Sequence, residues 1–502
     1  MRAQLDELKN HLATVQDLTG ASYLLSWDQQ TYMPEGAVEL RSEQLATLSR
    51  LTHEHAVSPA LGKLLDQLAG QFDPDSEEGA LVRVARRDFD RDTKLPTALV
   101  GELSRVTALA EAAWGSAREK RNWRLFAPHL ERILELKLQA AQHYGYQDHP
   151  FDALLDVNEP GATKAQLEGL FAELKRELVP LVKAVSAQAQ DEDPPRDAPL
   201  RNSFDEARQL QFGREVVTRF GFDWSRGRQD RSRHPFCSAT GPDDVRLTTR
   251  VDADWLSPAL FASLHEAGHG LYEQGIEGRF QRSPLAGGCS LGVHESQSRL
   301  WENLVGRSRG FWEYFFPRLR RLFRRTLEHV ELDDFYRAIN SVQPSFIRVE
   351  ADELTYNLHV LLRFELEAAL LDGRLAVADV PAAWNAKMEE YLGISPADDA
   401  EGCLQDVHWS AGLVAYFPTY TIGNVLSVQL FEAAVAAHPE IPGDIACGRF
   451  SRLLAWLREH VHRHGRRFEP QELVRRATGR PLETGPYLAY LKAKYAELYA
   501  LD

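Results

Sequence analysis

Apolar residues recur at intervals of three and four along most of this chain, and this spacing restricts the fold more than any other feature of the sequence. Residues 163–188 show it clearly, with leucines, a phenylalanine and a valine on one helical stripe. Residues 346–371, 452–461 and 487–499 repeat the pattern. Pro180 is expected to kink or split the first of these helices. Alternating, β-branched stretches are scarce, so the sequence predicts a mainly helical protein.

One short segment is the best candidate for a β-strand. Residues 244–251, with the sequence DVRLTTRV, follow the turn-like residues 239–243. We therefore expect one small sheet near the middle of the chain. The Pro-rich, charged segment at residues 190–202 is the clearest surface loop or lobe boundary.

The composition is that of a globular protein with an acidic surface. The 502 residues are 44% hydrophobic and 26% charged, and 58 Lys and Arg against 73 Asp and Glu give a net charge of −15. Such a surface repels phosphate backbones and anionic lipids, so binding to nucleic acid or to a membrane surface is not expected. The sequence also lacks an apolar run long enough to span a bilayer.

The expected location is a reducing cytoplasm. The N-terminal segment MRAQLDELKNHLATVQDL has no apolar core of the kind that signal peptides have. The four cysteines form no C-x-x-C pair and are too few for a disulfide framework in a chain of this length.

Residues 264–270, with the sequence LHEAGHG, contain an H-E-x-x-H motif made by His265, Glu266 and His269. Residues four apart lie on one face of a helix, so the two imidazoles can bind one metal ion. Glu266 lies next to them and can act as a general base on a water molecule. The motif therefore indicates a metallopeptidase.

The residues around the motif favour a helix. Ser257 is the predicted N-cap, Pro258 the first helical residue and Gly275 the end of the helix. A buried histidine pair, hydrogen-bonded inside a core helix, is the alternative interpretation of the motif. A well-capped helix fits the metallopeptidase interpretation better.

A catalytic zinc ion requires a third protein ligand and an open position for water. Glu295 is the first candidate, because the chain between it and His269 can end one helix, pass through Gly287-Gly288 and begin another. A carboxylate in the first turn of that second helix can face the histidine pair. A helix N-terminal charge favoured by the dipole is the alternative role for Glu295. His294 is the rival ligand, because zinc sites with three imidazoles also occur.

Eight short segments form an ordered series along the chain. They are SWDQQTYMPEGA at 26–37, HPF at 234–236, DVRLT at 244–248, HEAGH at 265–269, HESQSR at 294–299, IRVEAD at 347–352, GCLQ at 402–405 and KYAELY at 494–499. The series resembles the M32 family of metallocarboxypeptidases, the thermostable carboxypeptidase Taq type. Each segment alone is weak, but together they cover nearly the whole chain.

The resemblance implies a single peptidase domain over residues 1–502. Its fold would be large, helical and two-lobed, with a deep central groove and a small β-sheet, like that of neurolysin and angiotensin-converting enzyme. The resemblance also implies a homodimer that removes single amino acids from peptides with a free C-terminus. It implies a divalent metal ion, zinc with cobalt as the alternative, and assigns the third ligand to Glu295 rather than His294.

The resemblance also points to the residues that contact the substrate. Arg348 is expected to bind the terminal carboxylate, which a guanidinium can hold with two parallel hydrogen bonds. The alternative for Arg348 is a salt bridge to Asp352, one turn later on the same helix. His408 and Tyr420 are expected to stabilise the tetrahedral intermediate, and Gln405 is expected to contact the substrate. A core aromatic with a satisfied hydroxyl is the alternative for Tyr420.

His234 and Arg246 flank the start of the predicted strand. That strand can pair with an extended peptide if the peptide adds to its edge, so both residues are candidate substrate contacts. Structural support of the groove is the alternative role for both.

Two other functional hypotheses remain open, and two further patterns have ordinary explanations. An endo- or oligopeptidase of the same fold would not need Arg348, and a non-catalytic helical protein would only bind a metal. The sequence HVHRH at 460–464 is interpreted as a solvated cluster near a helix end. The sequence RLRRLFRR at 318–325 is interpreted as an amphipathic helix with a solvated basic face.

Overall fold

A computed structural model of the chain describes residues 1–189 and 195–501. These residues form twenty α-helices and one three-stranded sheet, which confirms the predicted mainly helical class. In chain order they are α1 Arg2–Thr31, α2 Val38–Ala56, α3 Pro59–Leu68, α4 Glu77–Lys94, α5 Thr97–Glu119, α6 Ala127–Tyr144, α7 Pro150–Leu155, α8 Lys164–Ala189, α9 Glu206–Phe220, β1 Gly227–Arg231, β2 Cys237–Gly241, β3 Asp244–Thr249, α10 Leu256–Gly275, α11 Leu291–Arg299, α12 Arg309–Leu322, α13 Leu332–Ile339, α14 Tyr356–Leu371, α15 Val380–Leu392, α16 Pro418–Ala437, α17 Ile441–Ala446, α18 Ser451–His460, α19 Pro470–Thr478 and α20 Gly485–Tyr499.

Contacts between the described residues divide the chain into two compact units. Unit 1 contains Met1–Thr93, Arg196–Ile339 and Ser427–Leu482, and unit 2 contains Lys94–Pro195, Asn340–Leu426 and Glu483–Asp502. The predicted loop or lobe boundary at 190–202 lies partly outside the described residues, at 190–194. One change from unit 2 to unit 1 falls after Pro195. The single domain with two lobes around a groove stays a prediction.

Three of the four helices predicted from periodicity are confirmed as α8, α18 and α20. Helix α8 continues through Pro180 and is not split there, because Leu178 and Val182 are buried on either side of the proline and hold the helix in place. The fourth prediction was wrong at its N-terminus. Helix α14 begins only at Tyr356, because the carboxylate of Asp352 accepts hydrogen bonds from backbone N–H groups that follow it and starts a new helix.

The sheet has the strand order β1-β3-β2, with β3 parallel to β1 and antiparallel to β2. Strand β3 confirms the predicted strand, although β2 includes residues 239–241 of the predicted turn. Because β3 is central, both of its edges are already paired. The expectation that a peptide adds to the edge of this strand is therefore wrong.

Helix α10 lies at the centre of unit 1, against α9, α11 and strands β2 and β3. Its Leu264 and Leu271 are fully buried. Gly270 allows the helix to approach the sheet, because a Cβ at this position would lie 2.8 Å from both Leu247 of β3 and Phe222. The helix that carries the H-E-x-x-H motif is therefore fixed on several sides.

Helix α14 is buried among α6, α7, α8 and α15 of unit 2. The ring of its Phe364 stacks on Phe171 and meets Phe151 edge to face. Its polar residues Arg363 and Glu367 are also fully buried. Buried polar groups require partners, and the partners of Arg363 form the cluster described below.

The basic segment at 318–325 is confirmed as predicted, whereas the histidine segment at 460–464 is not. Arg321, Arg324 and Arg325 are exposed while Leu319 and Phe323 are buried, which confirms an amphipathic basic segment. The solvated histidine cluster was wrong in part. His462 is fully buried and its Nε2 lies 2.8 Å from Gln297 Oε1, because its ring fills the space left by the missing side chain of Gly275.

All four cysteines are free thiols, as the sequence predicts. Across residues 1–189 and 195–501, none of the helices is both long enough and apolar enough to cross a bilayer.

Candidate active site

Helix α10 carries the H-E-x-x-H motif and ends at Gly275, as predicted. It begins at Leu256 with Trp255 as its N-cap, so the prediction of Ser257 as the N-cap was wrong by two residues. The isolated bridge between Asp252 and Trp255 closes a tight turn and leaves Trp255 extended, so the helix starts directly after Trp255.

The candidate metal centre consists of His265, His269 and Glu295. The Nε2 atoms of the two histidines lie 3.7 and 3.6 Å from the same carboxylate oxygen of Glu295. The three ligand atoms lie within 4.8 Å of one another. Tetrahedral zinc with bonds of about 2.1 Å requires ligand atoms roughly 3.4 Å apart. The donor set and its spacing therefore fit a small divalent cation.

Glu295 reaches the histidines because helices α10 and α11 approach each other very closely. A Cβ at Gly268 would lie 2.5 Å from the carbonyl oxygen of Gln297 and 2.6 Å from the Cα of Ser298. Ser290 caps α11 through its hydroxyl, which accepts from the backbone N–H of Val293. Glu295 is the fifth residue of α11 and so lies in its second turn, not in the predicted first turn.

We expect Gly268→Ala to weaken metal binding. The new methyl group forces α11 away from α10, and loss of the support that orients a metal ligand typically costs about 10–100-fold in metal affinity. Overpacking also lowers the free energy of unfolding by about 1–3 kcal/mol. Zinc affinity from chelator competition and thermal unfolding measure both effects.

Gly115→Ala is the matched control, because Gly115 lies in helix α5 with open space around its missing side chain. This change is expected to leave zinc affinity unchanged and to raise stability by up to about 1 kcal/mol. Equal zinc affinity in Gly268→Ala and wild type would contradict the role of the close helix contact.

A carboxylate supports His265 from the side opposite Glu295. Glu302 Oε2 lies 2.9 Å from His265 Nδ1, and Glu302 is in turn contacted by Arg299 and Arg307. Such a contact holds the hydrogen on Nδ1 and leaves Nε2 free for a metal. Glu302 lies on a π-helical turn, Leu300–Val305, that continues α11.

Neighbouring side chains also fix the orientation of Glu295. Its Oε1 accepts a hydrogen bond of 2.7 Å from Arg299 Nε, and its Oε2 accepts one of 3.2 Å from Ser298 Oγ. The carboxylate is nearly buried, with 8% of its side chain exposed. The oxygen that faces the imidazoles is therefore held in one place.

His294, the rival third ligand, faces away from the point where the ligand atoms converge. Its Nδ1 lies 2.6 Å from the Nδ1 of His269, and its Nε2 lies 2.7 Å from Glu273 Oε1. It therefore contacts the far side of a candidate ligand.

The electrostatics of the metal centre suit its chemistry. Burial raises the pKa of Glu266 to about 7, and the neighbouring carboxylates raise it while His265 lowers it. A carboxyl group with a pKa near neutrality exchanges protons efficiently. Burial holds the pKa of His269 well below its usual value, so its imidazole is neutral, the form that binds metals.

Unit 2 contains a second group of functional candidates, the arginine cluster of Arg348, Arg363 and Asp406. Arg348 donates from Nε and Nη2 to Asp406 Oδ1, at 3.2 and 2.8 Å. Arg363 donates from Nε to the other oxygen, at 2.7 Å. Burial alone would raise the pKa of Asp406, but the two guanidinium groups outweigh it and hold that pKa far below the usual range. Asp406 therefore stays ionised.

The alternative role of Arg348, a salt bridge to Asp352, is wrong. Asp352 accepts hydrogen bonds from Gln343, Leu354 and Thr355, and Arg348 lies in a separate 3-10 turn before α14. Arg348 instead donates from Nη1 to the hydroxyl of Tyr356, at 2.8 Å. Each terminal nitrogen of Arg348 carries two hydrogens and donates to one of these partners, so the guanidinium keeps donors for a carboxylate.

The structure brings His408 and Tyr420 together and gives Gln405 a supporting place. His408 Nε2 lies 3.2 Å from the Tyr420 hydroxyl. Burial, with help from Arg348, lowers the pKa of His408 to about 4, so its ring is neutral at pH 7. Gln405 accepts from the backbone N–H of Arg348 and donates to the carbonyl of Phe346. Its contacts thus hold the turn that carries Arg348.

The remaining two candidates lie in unit 1 near the sheet. His234 is exposed, and its carbonyl accepts a hydrogen bond from Ser232. Arg246 on β3 donates twice to Asp244 and lies over the ring of Trp27, 4.4 Å from its centroid. These contacts favour structural support as the role of Arg246.

Comparisons with known proteins place the chain in one family. The family model described as carboxypeptidase Taq (M32) metallopeptidase matches residues 7–495. The chain belongs to the M32 family. It is 43% identical over 494 residues to thermostable carboxypeptidase 1 of Thermus thermophilus, with 96% of each chain covered. It is 38% identical to carboxypeptidase 1 of Bacillus subtilis, with 98% of this chain and 97% of that protein covered.

Solved structures of M32 enzymes share the fold. The M32 carboxypeptidase of Deinococcus radiodurans R1 superposes with a TM-score of 0.96 at 46% identity, covering 99% of this chain and all of that one. As a member of the M32 family, the protein is a metallocarboxypeptidase, a peptide hydrolase. The resemblance stated from the eight sequence segments is therefore confirmed.

Three supporting residues of this M32 enzyme were not predicted from the sequence. The spacing of two of them could have indicated their positions. Glu273 follows His269 by four residues, so helical spacing places it on the face of the two histidines. Glu302 follows Glu295 by two helical turns. Asp406 stands directly after Gln405, but no spacing rule connects it with Arg348.

Proposed function

We propose that this carboxypeptidase cleaves the last peptide bond of its substrates with a zinc ion held by His265, His269 and Glu295, with cobalt as the alternative ion. The observation that carries the proposal is the convergence of two Nε2 atoms and one carboxylate oxygen within 4.8 Å. Two imidazoles and a carboxylate are a common ligand set for a catalytic zinc ion. Peptides with a free C-terminus are the proposed substrates.

A divalent cation bound at this centre supplies Lewis-acid activation of the attacking water and of the scissile carbonyl. Glu266 accepts the proton of the attacking water and then delivers it to the leaving amine. Burial raises the pKa of Glu266 above the usual value of a carboxyl group, which favours a group that both accepts and releases a proton. Glu266 is therefore the proposed general base and acid.

Arg348, His408 and Tyr420 are the residues proposed for recognition and charge stabilisation. Arg348 binds the terminal carboxylate through the remaining hydrogens of its guanidinium, and Asp406 fixes the plane of that group. His408 and Tyr420 donate hydrogen bonds to the oxygen that becomes negative during the attack. Gln405 holds the turn of Arg348, His234 stays a candidate contact to the substrate, and Arg246 is proposed to support the sheet through Asp244 and Trp27.

Removal of the metal is expected to abolish activity reversibly. Dialysis against a chelator should leave an inactive protein, and one equivalent of zinc or cobalt per chain should restore turnover. Because a ligand that binds only the folded state stabilises it, loading at a thousand times Kd should raise the free energy of unfolding by about 4 kcal/mol. Thermal unfolding and activity are measured on the same samples.

The ligand variants His265→Ala and Glu295→Ala accompany this experiment. Each is expected to lose stoichiometric zinc, measured by elemental analysis after gel filtration. Full zinc retention in either variant would remove that residue from the metal centre. Restoration of the chelated wild type by magnesium alone would contradict the choice of ion.

A homodimer in the cytoplasm completes the proposal. The family resemblance supports the dimer, and the four free thiols agree with a reducing compartment. Sedimentation equilibrium of the full chain tests the assembly, and a single species at the 56.7 kDa chain mass would contradict it.

A further inference from the structure

We propose that His294 and Glu273 are a positioning pair that fixes the tautomer of the metal ligand His269. The inference rests on the proposed function, because it assumes that His269 binds the ion through Nε2. The three side chains contact one another in series. His269 Nδ1 lies 2.6 Å from His294 Nδ1, and His294 Nε2 lies 2.7 Å from Glu273 Oε1.

The short distance between the two Nδ1 atoms requires a single hydrogen between them. Two lone pairs would repel at 2.6 Å, and two hydrogens would clash. If His294 supplied the hydrogen, a neutral His269 would carry its own hydrogen on Nε2, the atom that faces Glu295. That tautomer cannot bind a metal there. A metal-binding His269 therefore donates from Nδ1, and His294 accepts.

The other end of the series selects the same arrangement. A neutral imidazole that accepts at Nδ1 carries its hydrogen on Nε2, and His294 Nε2 faces the carboxylate of Glu273. An ionised carboxylate only accepts hydrogen bonds, so it favours this tautomer of His294. Glu273 thereby determines, through His294, which nitrogen of His269 is available to the ion.

The surroundings of His294 hold its ring in one orientation. The ring centroid lies 5.1 Å from that of Tyr272. A Cβ at Gly288 would lie 2.8 Å from Cδ2 of His294, so the loop before α11 closely follows the ring. Only 21% of the His294 side chain and 14% of the Glu273 side chain are exposed, which limits competition from water.

The two histidine ligands are thus supported in different ways. His265 contacts the carboxylate of Glu302 directly, whereas His269 contacts a carboxylate only through a second imidazole. Position 294 therefore needs an acceptor at the place of Nδ1 and a donor at the place of Nε2. Two amide side chains separate these requirements, because Asn places its amide near Nδ1 and Gln places its amide near Nε2.

The test compares His294→Asn with His294→Gln in the full-length protein. Zinc affinity is measured by chelator competition, and the visible spectrum of the cobalt form reports the geometry of the ligands. His294→Gln lacks the acceptor and is expected to bind zinc about 10–100-fold more weakly than wild type, with an altered cobalt spectrum. His294→Asn keeps the acceptor and is expected to recover most of that loss. Thermal unfolding of the metal-free proteins verifies that both variants fold.

Each outcome decides between the inference and the function on which it rests. Wild-type zinc affinity in both variants, or an equal loss in both, overturns the positioning role but leaves the metal centre intact. A wild-type protein that binds no zinc or cobalt overturns the proposed function itself. Recovery by Asn but not by Gln supports the inference, because a residue that only fills space would not distinguish the two amides.

Discussion

Replacing Glu266 with glutamine is expected to lower kcat by about 10²–10⁴-fold, the usual contribution of a positioned acid–base group, without releasing the metal ion. The amide has nearly the same shape as the carboxylate but cannot accept the proton of the attacking water. Because Glu266 is not part of the metal centre, zinc content and cobalt spectrum should match those of wild type. Peptide turnover and elemental analysis of one preparation provide the measurement.

Glu459→Gln is the control for the loss of one negative charge, because Glu459 is an exposed residue of α18 in the same unit. Its turnover is expected to equal that of wild type. If Glu266→Gln kept wild-type turnover, Glu266 would have no place in proton transfer. If Glu266→Gln instead lost its metal ion, the loss of turnover would follow from the empty metal centre and would not test proton transfer.

The second large effect is expected at Arg348, where substitution by methionine should remove the preference for a free C-terminus. The guanidinium is nearly buried, with 6% of its side chain exposed, so loss of its contact with a substrate carboxylate should cost about 2–5 kcal/mol. At about 1.4 kcal/mol per tenfold, kcat/KM for free-acid peptides should fall by roughly 30- to 4000-fold. Amidated peptides should be poor substrates of both proteins.

The comparison of free-acid and amidated peptides also separates the carboxypeptidase from an endo- or oligopeptidase. Arg348→Lys keeps the charge but loses the planar fork, so its activity should lie between those of wild type and Arg348→Met. Arg374→Met is the control, because Arg374 is an exposed arginine of unit 2 that pairs with Asp372. Equal cleavage of both peptide forms by the wild type would contradict recognition of the terminal carboxylate.

Stability should not obscure the Arg348 experiment. Asp406 retains Arg363, which donates to its other oxygen and is completely buried. Removal of Arg348 therefore leaves the buried carboxylate with one cationic partner rather than none. Far-UV circular dichroism should match that of wild type, and the melting temperature should fall by only a few degrees, because the lost hydrogen bonds cost about 1–3 kcal/mol.

The metal centre could be predicted from the sequence because its main features are local. Two histidines four residues apart share a helix face wherever a helix forms, and the apolar stripe of α10 predicts that helix. Glu295 lies on the next helix, and family resemblance identified it where spacing left His294 as a rival. The close contact at Gly268 that joins these helices has no sequence pattern of its own, since small residues occur throughout helices without marking a contact.

The arginine cluster could not be predicted because its contacts join distant parts of the chain. Arg348 and Asp406 are far apart in sequence, and only the packing of α14 brings Arg363 to the same carboxylate. Periodicity also placed the start of α14 too early, since it records apolar spacing and not the local hydrogen bonds of Asp352. Strand β1, with the sequence GRQDR, was not predicted either. Only Asp230 in it is buried, so the strand has no apolar pattern.

The most direct test is a crystal structure of the zinc-loaded protein, with anomalous diffraction recorded on both sides of the zinc absorption edge. The account predicts one strong anomalous peak per chain, about 2.1 Å from Nε2 of His265, Nε2 of His269 and a carboxylate oxygen of Glu295. A fully loaded protein whose zinc peak lies elsewhere, with these three side chains too far apart to share an ion, would contradict it.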